Sequence, residues 1–433
     1  MKKAAFYTLG CKVNQYETEA MTELFQKRGY EIVPFDGYAD IYVINTCTVT
    51  GMSDRKSRQI IRRAKKSNPQ ALVAVTGCYA QTAPEDVMHI EGVNLIIGTK
   101  DRSRIVDEVE ALNADEKRSL VGNIMDSHCF EEMTIETYQE RTRAYIKVQE
   151  GCNQFCSYCI IPYARGPIRS RNPESVLAEV QKVAENGFSE VILVGIHIAS
   201  YGLDTGTTSL SRLLNQVNAV EGIRRIRLSS IEPMTLNHEF TMAIKDCHKL
   251  CPHFHLSLQS GSDATLKRMN RKYTTAQYKE IVDSLRAHFQ DAAVTTDIMV
   301  GFPGETEEEF QETARFVEEI SFADAHIFKY SPRNGTPAAK RNDQIDPQIK
   351  EQRSKIIEEI TRRSRELFLQ AHIGKTMEVL FEQPYGESHF EGKTSNYITV
   401  AVKTDKDLSG QYHMVRLERL HKNTLFGTIV SDS

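Results

Sequence analysis

The chain has 433 residues, of which 40% are hydrophobic and 26% charged, a composition typical of folded globular domains. Its formal net charge of −4 excludes an overall basic protein, so any nucleic-acid site must come from local positive patches. Neither a secretory signal nor an apolar stretch of the ~20 residues that span a bilayer is recognisable, so we expect no membrane association. We therefore expect a reducing cytoplasm, in which the nine cysteines serve metals or catalysis.

The first hundred residues alternate apolar segments with amphipathic ones. Strands are predicted at 3–9, 41–45, 71–77 and 93–99. Helices are predicted between them, one with Asn14 as its N-cap and Glu17 as its capping partner, and a basic one from Asp54. This alternation predicts an α/β fold with a parallel sheet and helices on its faces.

Three cysteines each lie just past the end of a predicted strand: Cys11, Cys47 and Cys78. The carboxyl ends of parallel strands share one edge of a sheet, and ligands bind there. We therefore expect the three thiols to converge and hold a second metal cluster. The alternative is core packing, since free cysteine is commonly a small buried apolar residue.

Residues 113–140 lack clear periodicity and are predicted to be a linker. Six further strands are predicted at 143–149, 189–195, 224–230, 253–259, 293–301 and 326–332. Helical segments separate them, so the region reads as six strand–helix units. A full eightfold barrel needs ~250 residues, and six units predict a partial (β/α)6 barrel that is open on one side.

The first of these strands is followed by three close cysteines in a C-x3-C-x2-C run, Cys152, Cys156 and Cys159. Close thiolates are soft ligands suited to iron–sulfur clusters or zinc. Three thiolates leave one iron of a four-iron cluster open to a small molecule, whereas structural zinc needs a fourth ligand and usually paired spacing. The run favours an open-site cluster, with a zinc site or an incidental cysteine cluster as alternatives.

After a charged helix at about 344–371, short strands predict a small C-terminal β-barrel. Such barrels often bind RNA, although the near-neutral charge of this one does not by itself indicate strong phosphate binding. Basic residues cluster instead in three segments: Arg55, Lys56, Arg58, Arg62, Arg63, Lys65 and Lys66; Arg165, Arg169 and Arg171; and Lys267, Arg268, Arg271 and Lys272. Their proximity to the cysteines favours a polyanionic substrate over merely solvated helix faces.

The C-x3-C-x2-C run after the first barrel strand resembles the radical S-adenosylmethionine (SAM) superfamily. TLGCKVNQYE, INTCTVT and VTGCYAQ resemble the methylthiotransferases, and the C-terminal barrel is similar to their TRAM domain. KVNQYE, GIHIASYG, SSIEP and the C-terminal barrel most resemble the branch that acts on threonylcarbamoyladenosine in tRNA. The predicted domains are a methylthiotransferase N-terminal domain at 1–112, a linker at 113–140, a radical SAM domain at 141–371 and a TRAM domain at 372–433.

The resemblance implies a chemistry and its cofactors. Cys152, Cys156 and Cys159 would hold a [4Fe–4S] cluster whose open iron binds SAM, which an electron from a reductase such as flavodoxin or ferredoxin cleaves to a radical. Cys11, Cys47 and Cys78 would hold a second [4Fe–4S] cluster that carries the sulfur, drawn from a donor that the resemblance leaves open. The methylthio group would be inserted at carbon 2 of the adenine, at tRNA position 37.

Candidate SAM contacts follow from strand-end position and from the family likeness. They are Gly195, Ser229, Gln259, Arg271, Gly301, Phe302, Pro303 and Gly304. No catalytic residue beyond the cluster ligands is predicted. Three alternative functions remain: methylthiolation of isopentenyladenosine in tRNA, methylthiolation of an aspartate of a ribosomal protein, and a non-catalytic metal-binding RNA adaptor.

Overall fold

The computed structural model describes residues 1–113, 115–135 and 142–430. Within these ranges the chain forms two units built on parallel sheets and one closed barrel. The predicted fold class is thereby confirmed. Among the described helices, none is long and apolar enough to cross a membrane.

The N-terminal unit is a six-stranded parallel sheet. Its strands are β1 (Lys3–Thr8), β2 (Glu31–Ile32), β3 (Ile41–Thr46), β4 (Leu72–Gly77), β5 (Leu95–Ile96) and β6 (Arg118–Ser119). They lie in the order β2-β1-β3-β4-β5-β6. Strand β3 is buried along its whole length because helices cover both faces, which explains its continuous apolar run.

Five helices accompany this sheet: α1 (Lys12–Lys27), α2 (Gly51–Ser67), α3 (Cys78–Thr82), α4 (Pro84–Met88) and α5 (Ile105–Glu110). The predicted N-cap of α1 is wrong, because Cys11 occupies that position and Asn14 lies inside the helix. The Asn14 amide instead donates to the carbonyls of Leu9 (2.7 Å) and Thr46 (3.0 Å). Residues predicted as linker also contribute β6, which is too short to show a pattern.

The central unit is a curved sheet. Its strands are β7 (Ala144–Glu150), β8 (Arg169–Ser170), β9 (Glu190–Gly195), β10 (Arg225–Leu228), β11 (His253–His255), β12 (Ala293–Val300) and β13 (Asp324–Lys329). They form the sheets β10-β9-β7-β8 and β11-β12-β13. Two parallel bridges connect these sheets, one between Ile226 and Leu250 and one between Ile231 and Leu256. Apart from the antiparallel β8, all strands run parallel, as in a partial barrel.

Helices surround the outer face of this sheet and pack on it through one large apolar core. They are α7 (Pro173–Glu185), α8 (Leu210–Asn218), α9 (His238–Ile244), α10 (Asp263–Arg268), α11 (Thr275–His288), α12 (Glu307–Ile320) and α13 (Pro347–Gln370). Helix α6 (Ile161–Arg165) instead follows the cysteine run and contacts α3 of the N-terminal unit. Side chains alternate between the two faces of a strand. Phe254 and Ile298 therefore face the helices, while His253, His255 and Asp297 face the barrel interior.

The C-terminal unit is a closed five-stranded barrel. Its strands are β14 (Thr376–Tyr385), β15 (His389–Thr394), β16 (Thr399–Lys403), β17 (Tyr412–His421) and β18 (Thr424–Ile429). The sequence pattern predicts single strands at 392–404 and 413–430, and the structure divides each of them by a tight turn. The turns place Tyr397 (φ 72°) and Lys422 (φ 54°) in the left-handed region, which sequence patterns do not reveal.

The C-terminal barrel closes the amino end of the central barrel. Arg227 of β10 donates to the carbonyls of Ser395 (2.7 Å) and Thr394 (2.8 Å). The Tyr397 ring stacks on His253, the first residue of β11, with a centroid distance of 4.7 Å and an interplanar angle of 19°. We call this contact region, at the end of the central barrel opposite the cysteine run, the barrel floor.

Candidate active site

The structure brings the three N-terminal cysteines to one edge of the first sheet. Cys11 follows β1, Cys47 follows β3 and Cys78 begins α3 directly after β4, and these strands are neighbours. The thiols are close enough for the charges of Cys11 and Cys47 to act on Cys78. The shared edge thus assembles three sulfur donors from distant parts of the sequence.

Two polar side chains bind these thiols. The Arg165 Nε donates to the Cys78 Sγ (3.1 Å). Asn14 Oδ1 accepts from the Cys11 Sγ (3.7 Å) and from Arg165 Nη2 (2.6 Å). Burial raises the pKa of Cys78 to about 12, although the Arg165 charge acts in the opposite direction. A thiol in this setting becomes a thiolate when a bound metal shares its charge.

The C-x3-C-x2-C loop follows β7, the first strand of the central barrel. Its conformation is constrained, since Phe155 has a positive φ of 47° without being a glycine. Ser157 anchors the loop to the segment after α10, donating from its amide to Met269 O (2.9 Å) and from its hydroxyl to Arg268 O (2.8 Å). Burial raises the pKa of Cys159 to about 12.

Arg271 links this loop to the end of the third barrel strand. It donates to the Cys156 Sγ (3.5 Å), to Glu232 Oε2 (2.9 Å) and to Ser257 O (2.9 Å). Glu232 and Arg271 both act electrostatically on Cys152. Arg271 therefore fits a position beside the cluster, while direct SAM contact by its side chain stays a prediction.

Unpartnered polar atoms lie at the carboxyl ends of the next three strands. Ser229 Oγ and Gln259 Oε1 are buried without a hydrogen-bond partner, and His197 Nε2 has only the Glu232 carboxylate nearby (3.9 Å). Gln259 also has a positive φ of 70° at the point where its strand ends. Buried polar groups are normally satisfied, so these three fit a polar ligand such as the amino and carboxylate groups of SAM.

The predicted glycines have packing reasons of their own. A Cβ on Gly195 would lie 2.9 Å from the Gln149 amide oxygen, and one on Gly301 would lie 2.3 Å from Lys350 Cγ of α13. Phe302 is fully buried and its ring meets Tyr158 of the cysteine loop edge-on, with centroids 6.4 Å apart.

The rest of this turn supports the loop as well. Pro303 is buried and Gly304 is half-buried. The turn formed by Gly301 to Gly304 therefore packs against the cysteine loop through Phe302. Direct cofactor contact by these residues stays a prediction.

Within the described residues, no three His, Cys, Asp or Glu side chains are arranged to hold one metal ion. This geometry disfavours a mononuclear zinc site. Ligands of a four-iron cluster are spaced more widely, because each thiolate binds a different iron.

A buried charge cluster joins the two cysteine sites. Its members are Glu17 of α1, Arg102 after β5, Lys147 and Glu150 of β7, and Arg165 at the end of α6, each at most 2% exposed. Arg165 Nη1 contacts Glu17 (2.6 Å) and Glu150 (3.0 Å), and Arg102 contacts Glu17 (2.5 Å). Burial alone would raise the pKa of Glu17, but Arg102, Arg165 and Lys147 hold it well below its ordinary value.

The charge cluster corrects one sequence-based interpretation. Arg165, Arg169 and Arg171 were expected to attract a polyanion, yet each is at most 2% exposed. Arg171 pairs with Glu179 and with Glu132 (2.9 Å). These arginines therefore bind other groups of the chain and not a polyanion, and a sequence cannot distinguish them from exposed arginines because burial depends on tertiary structure.

Comparisons with known proteins agree with this geometry. Residues 146–317 match the Radical SAM superfamily, residues 3–98 match the uncharacterized protein family UPF0004, and residues 370–430 match the TRAM domain. Among solved structures, the radical SAM methyltransferase TsrM from Kitasatospora setae is similar with a TM-score of 0.59 at 15% identity, over 78% of this chain and 77% of that one. At this identity the likeness shows the fold alone.

Relatives cover nearly the whole chain. The threonylcarbamoyladenosine tRNA methylthiotransferase MtaB of Bacillus subtilis (strain 168) is 42% identical over 96% of this chain and 94% of its own. The enzyme of that name from Thermotoga maritima is 37% identical over 97% of this chain and 95% of its own. The tRNA-2-methylthio-N(6)-dimethylallyladenosine synthase of Acetivibrio thermocellus is 36% identical over 98% and 90%.

A partial barrel with a three-cysteine loop after its first strand, matched by the superfamily, defines a radical SAM enzyme. This class implies SAM and a [4Fe–4S] cluster as cofactors, which the thiols and unpartnered polar atoms described above fit. With its N-terminal and TRAM domains and its full-length relatives, the chain belongs to the radical SAM methylthiotransferase family. It is an enzyme of the transferase class.

Proposed function

We propose that this protein inserts a methylthio group at carbon 2 of N6-threonylcarbamoyladenosine at tRNA position 37, using SAM and two [4Fe–4S] clusters. The observation that carries the proposal is the pair of three-thiol sites linked through Arg165. The threonylcarbamoyladenosine substrate is supported by relatives of that name, which reach 42% identity, whereas the dimethylallyladenosine synthase of Acetivibrio thermocellus is 36% identical.

Cys152, Cys156 and Cys159 would hold the cluster that binds SAM, and Cys11, Cys47 and Cys78 the cluster that carries sulfur. The bound cofactors would supply radical and sulfur chemistry that side chains cannot perform, with electrons from a reductase such as flavodoxin or ferredoxin. Ser229 and Gln259 would orient SAM through their unpartnered oxygens. Arg271 would hold the cysteine loop against the strand ends.

The tRNA nucleosides of a deletion strain test the substrate. We expect mass spectrometry to show loss of the methylthio mark from threonylcarbamoyladenosine alone, and its return with a plasmid copy. Loss of the mark from isopentenyladenosine would instead assign the sister substrate. An unchanged tRNA profile would contradict the proposal and direct attention to a ribosomal-protein aspartate.

The first basic segment remains available for RNA. Helix α2 begins shortly after Cys47 and exposes Arg55, Lys56, Arg62 and Lys66. Met52 at its start is 80% exposed. An exposed basic helix beside a cluster site fits the phosphate backbone of an anticodon stem, so we propose that tRNA docks along α2.

Replacing both Arg62 and Lys66 with alanine is expected to weaken tRNA binding several-fold and to lower the salt dependence of log Kd by about 1 to 2. Titration of fluorescent tRNA at several salt concentrations measures both quantities. Arg362→Ala on α13 is the matched control, since Arg362 is also exposed but pairs with Glu359 (2.8 Å). Equal affinities for the double variant and the control would exclude α2 as the docking helix.

A further inference from the structure

The barrel floor is lined by side chains of both charges. The cations are Arg143, Arg225, Arg227 and Lys393, with Lys12 within electrostatic range, and the carboxylates are Glu190, Glu378, Glu382 and Glu391. Glu190 is shared by three arginines, with ion pairs to Arg143 (2.5 Å), Arg227 (2.7 Å) and Arg225 (3.7 Å). Arg143 also pairs with Glu382, and Arg225 also pairs with Glu378 (2.9 Å).

Lys12 is the cation that lacks a partner. No hydrogen bond or ion pair of its ammonium group occurs among the described residues, and the side chain is exposed. Its neighbour Val13 packs on Ile192 and Val194, on the interior side of β9. The charges of Arg227 and Arg143 act on Lys12, so its side chain extends into the open interior rather than into bulk solvent.

The carboxylate on the interior face of β12 already has two histidine partners. Asp297 of β12 binds His255 (3.1 Å) on one side and His326 (3.4 Å) on the other. It therefore offers Lys12 no free carboxylate. An unpaired ammonium in a confined site with other cations is a binding element for an anionic group that comes from outside the chain.

The chemistry of the substrate supplies such a group. Threonylcarbamoyladenosine has a carboxylate on the substituent at N6, whereas a dimethylallyl substituent has none. In adenine a single ring nitrogen separates the reacting carbon 2 from the carbon that bears N6. A side chain next to a ligand of the sulfur-carrying cluster is therefore placed to reach that substituent, and Lys12 directly follows Cys11.

We infer that Lys12 binds the carboxylate of the threonylcarbamoyl group and so selects this substrate over adenosines with an uncharged substituent at N6. This inference rests on the proposed function and extends it to a specificity-determining residue. A substrate without the carboxylate would leave the ammonium unpaired, and sites built for a polar group reject analogues that lack it.

The test changes the charge on each partner in turn. The probes are an anticodon stem–loop RNA with threonylcarbamoyladenosine and the same RNA with its methyl ester, which keeps the shape and removes the charge. Equilibrium binding to reconstituted protein is measured anaerobically for the wild type, K12Q, K12M and K12R. The wild type is expected to prefer the acid about tenfold or more, K12R to keep most of this preference, and K12Q and K12M to lose it.

Iron content and the absorption spectrum of each variant show whether Cys11 still binds its cluster. A preference retained by K12Q and K12M would overturn the inference. So would a wild type that methylthiolates threonylcarbamoyladenosine yet binds acid and ester equally, and that result requires no variant. A wild type that methylthiolates only isopentenyladenosine would refute the proposed substrate itself, which is a different and distinguishable failure.

Discussion

Cys156→Ala is expected to abolish SAM cleavage and remove one cluster, whereas Cys78→Ala should remove the other cluster and leave SAM cleavage intact. The reason is spatial, because Cys156 lies in the barrel loop beside Arg271 and Cys78 lies at the edge of the N-terminal sheet. Iron content after anaerobic reconstitution should fall from about eight to about four per chain in either variant. Both variants should lose methylthio transfer.

The measurements are iron per chain, deoxyadenosine released with dithionite, and methylthiolated RNA. Cys129→Ala is the matched control, since this thiol is exposed and outside both groups of three. A wild type with about four irons that Cys78→Ala leaves unchanged would remove the second site. A wild type that cleaves no SAM under reduction would favour the non-catalytic adaptor.

Arg165→Met is expected to destabilise the protein by about 3–5 kcal/mol, because it leaves the buried carboxylates of Glu17 and Glu150 short of a counter-charge. It also removes the hydrogen bond to the Cys78 sulfur, so we expect poorer retention of iron at the N-terminal site. Anaerobic urea unfolding followed by circular dichroism measures the first effect. Iron lost to a chelator over time measures the second.

Arg362→Met provides the surface control for stability, because exposed ion pairs contribute little. Arg165→Lys separates charge from geometry, since lysine keeps the charge but cannot contact Asn14, Glu17 and the sulfur at once. If Arg165→Met unfolds at the same urea concentration as the wild type, the other cations of the cluster balance the charges of Glu17 and Glu150 without Arg165.

Much of the fold follows from sequence pattern. Strands β3 and β4 match the predicted 41–45 and 71–77 closely, because buried parallel strands are continuous apolar runs between turn residues. The two-residue strands β2 and β6 have no such pattern. They exist because a neighbouring strand offers free backbone groups, which depends on tertiary structure.

The candidate site also has parts that the sequence predicts and parts that it does not. Convergence of Cys11, Cys47 and Cys78 follows from topology alone, since neighbouring parallel strands present their carboxyl ends at one edge. The positions of Arg165 and Lys12 do not, because the first depends on docking between two domains and the second on the open interior of a barrel. The only sequence signal for their roles is that both residues lie close to a cysteine motif, Lys12 next to Cys11 and Arg165 shortly after Cys159.

The barrel floor has a consequence for how the domains are understood. Arg227 and the Tyr397 turn seal the end of the central barrel that the strands themselves leave open. The C-terminal barrel thus covers the amino end of the central barrel, in addition to any contact that it makes with RNA. A chain shortened after α13 would admit water from below, where a reactive species needs protection from solvent. We therefore expect the stability of the central barrel to depend on the C-terminal barrel.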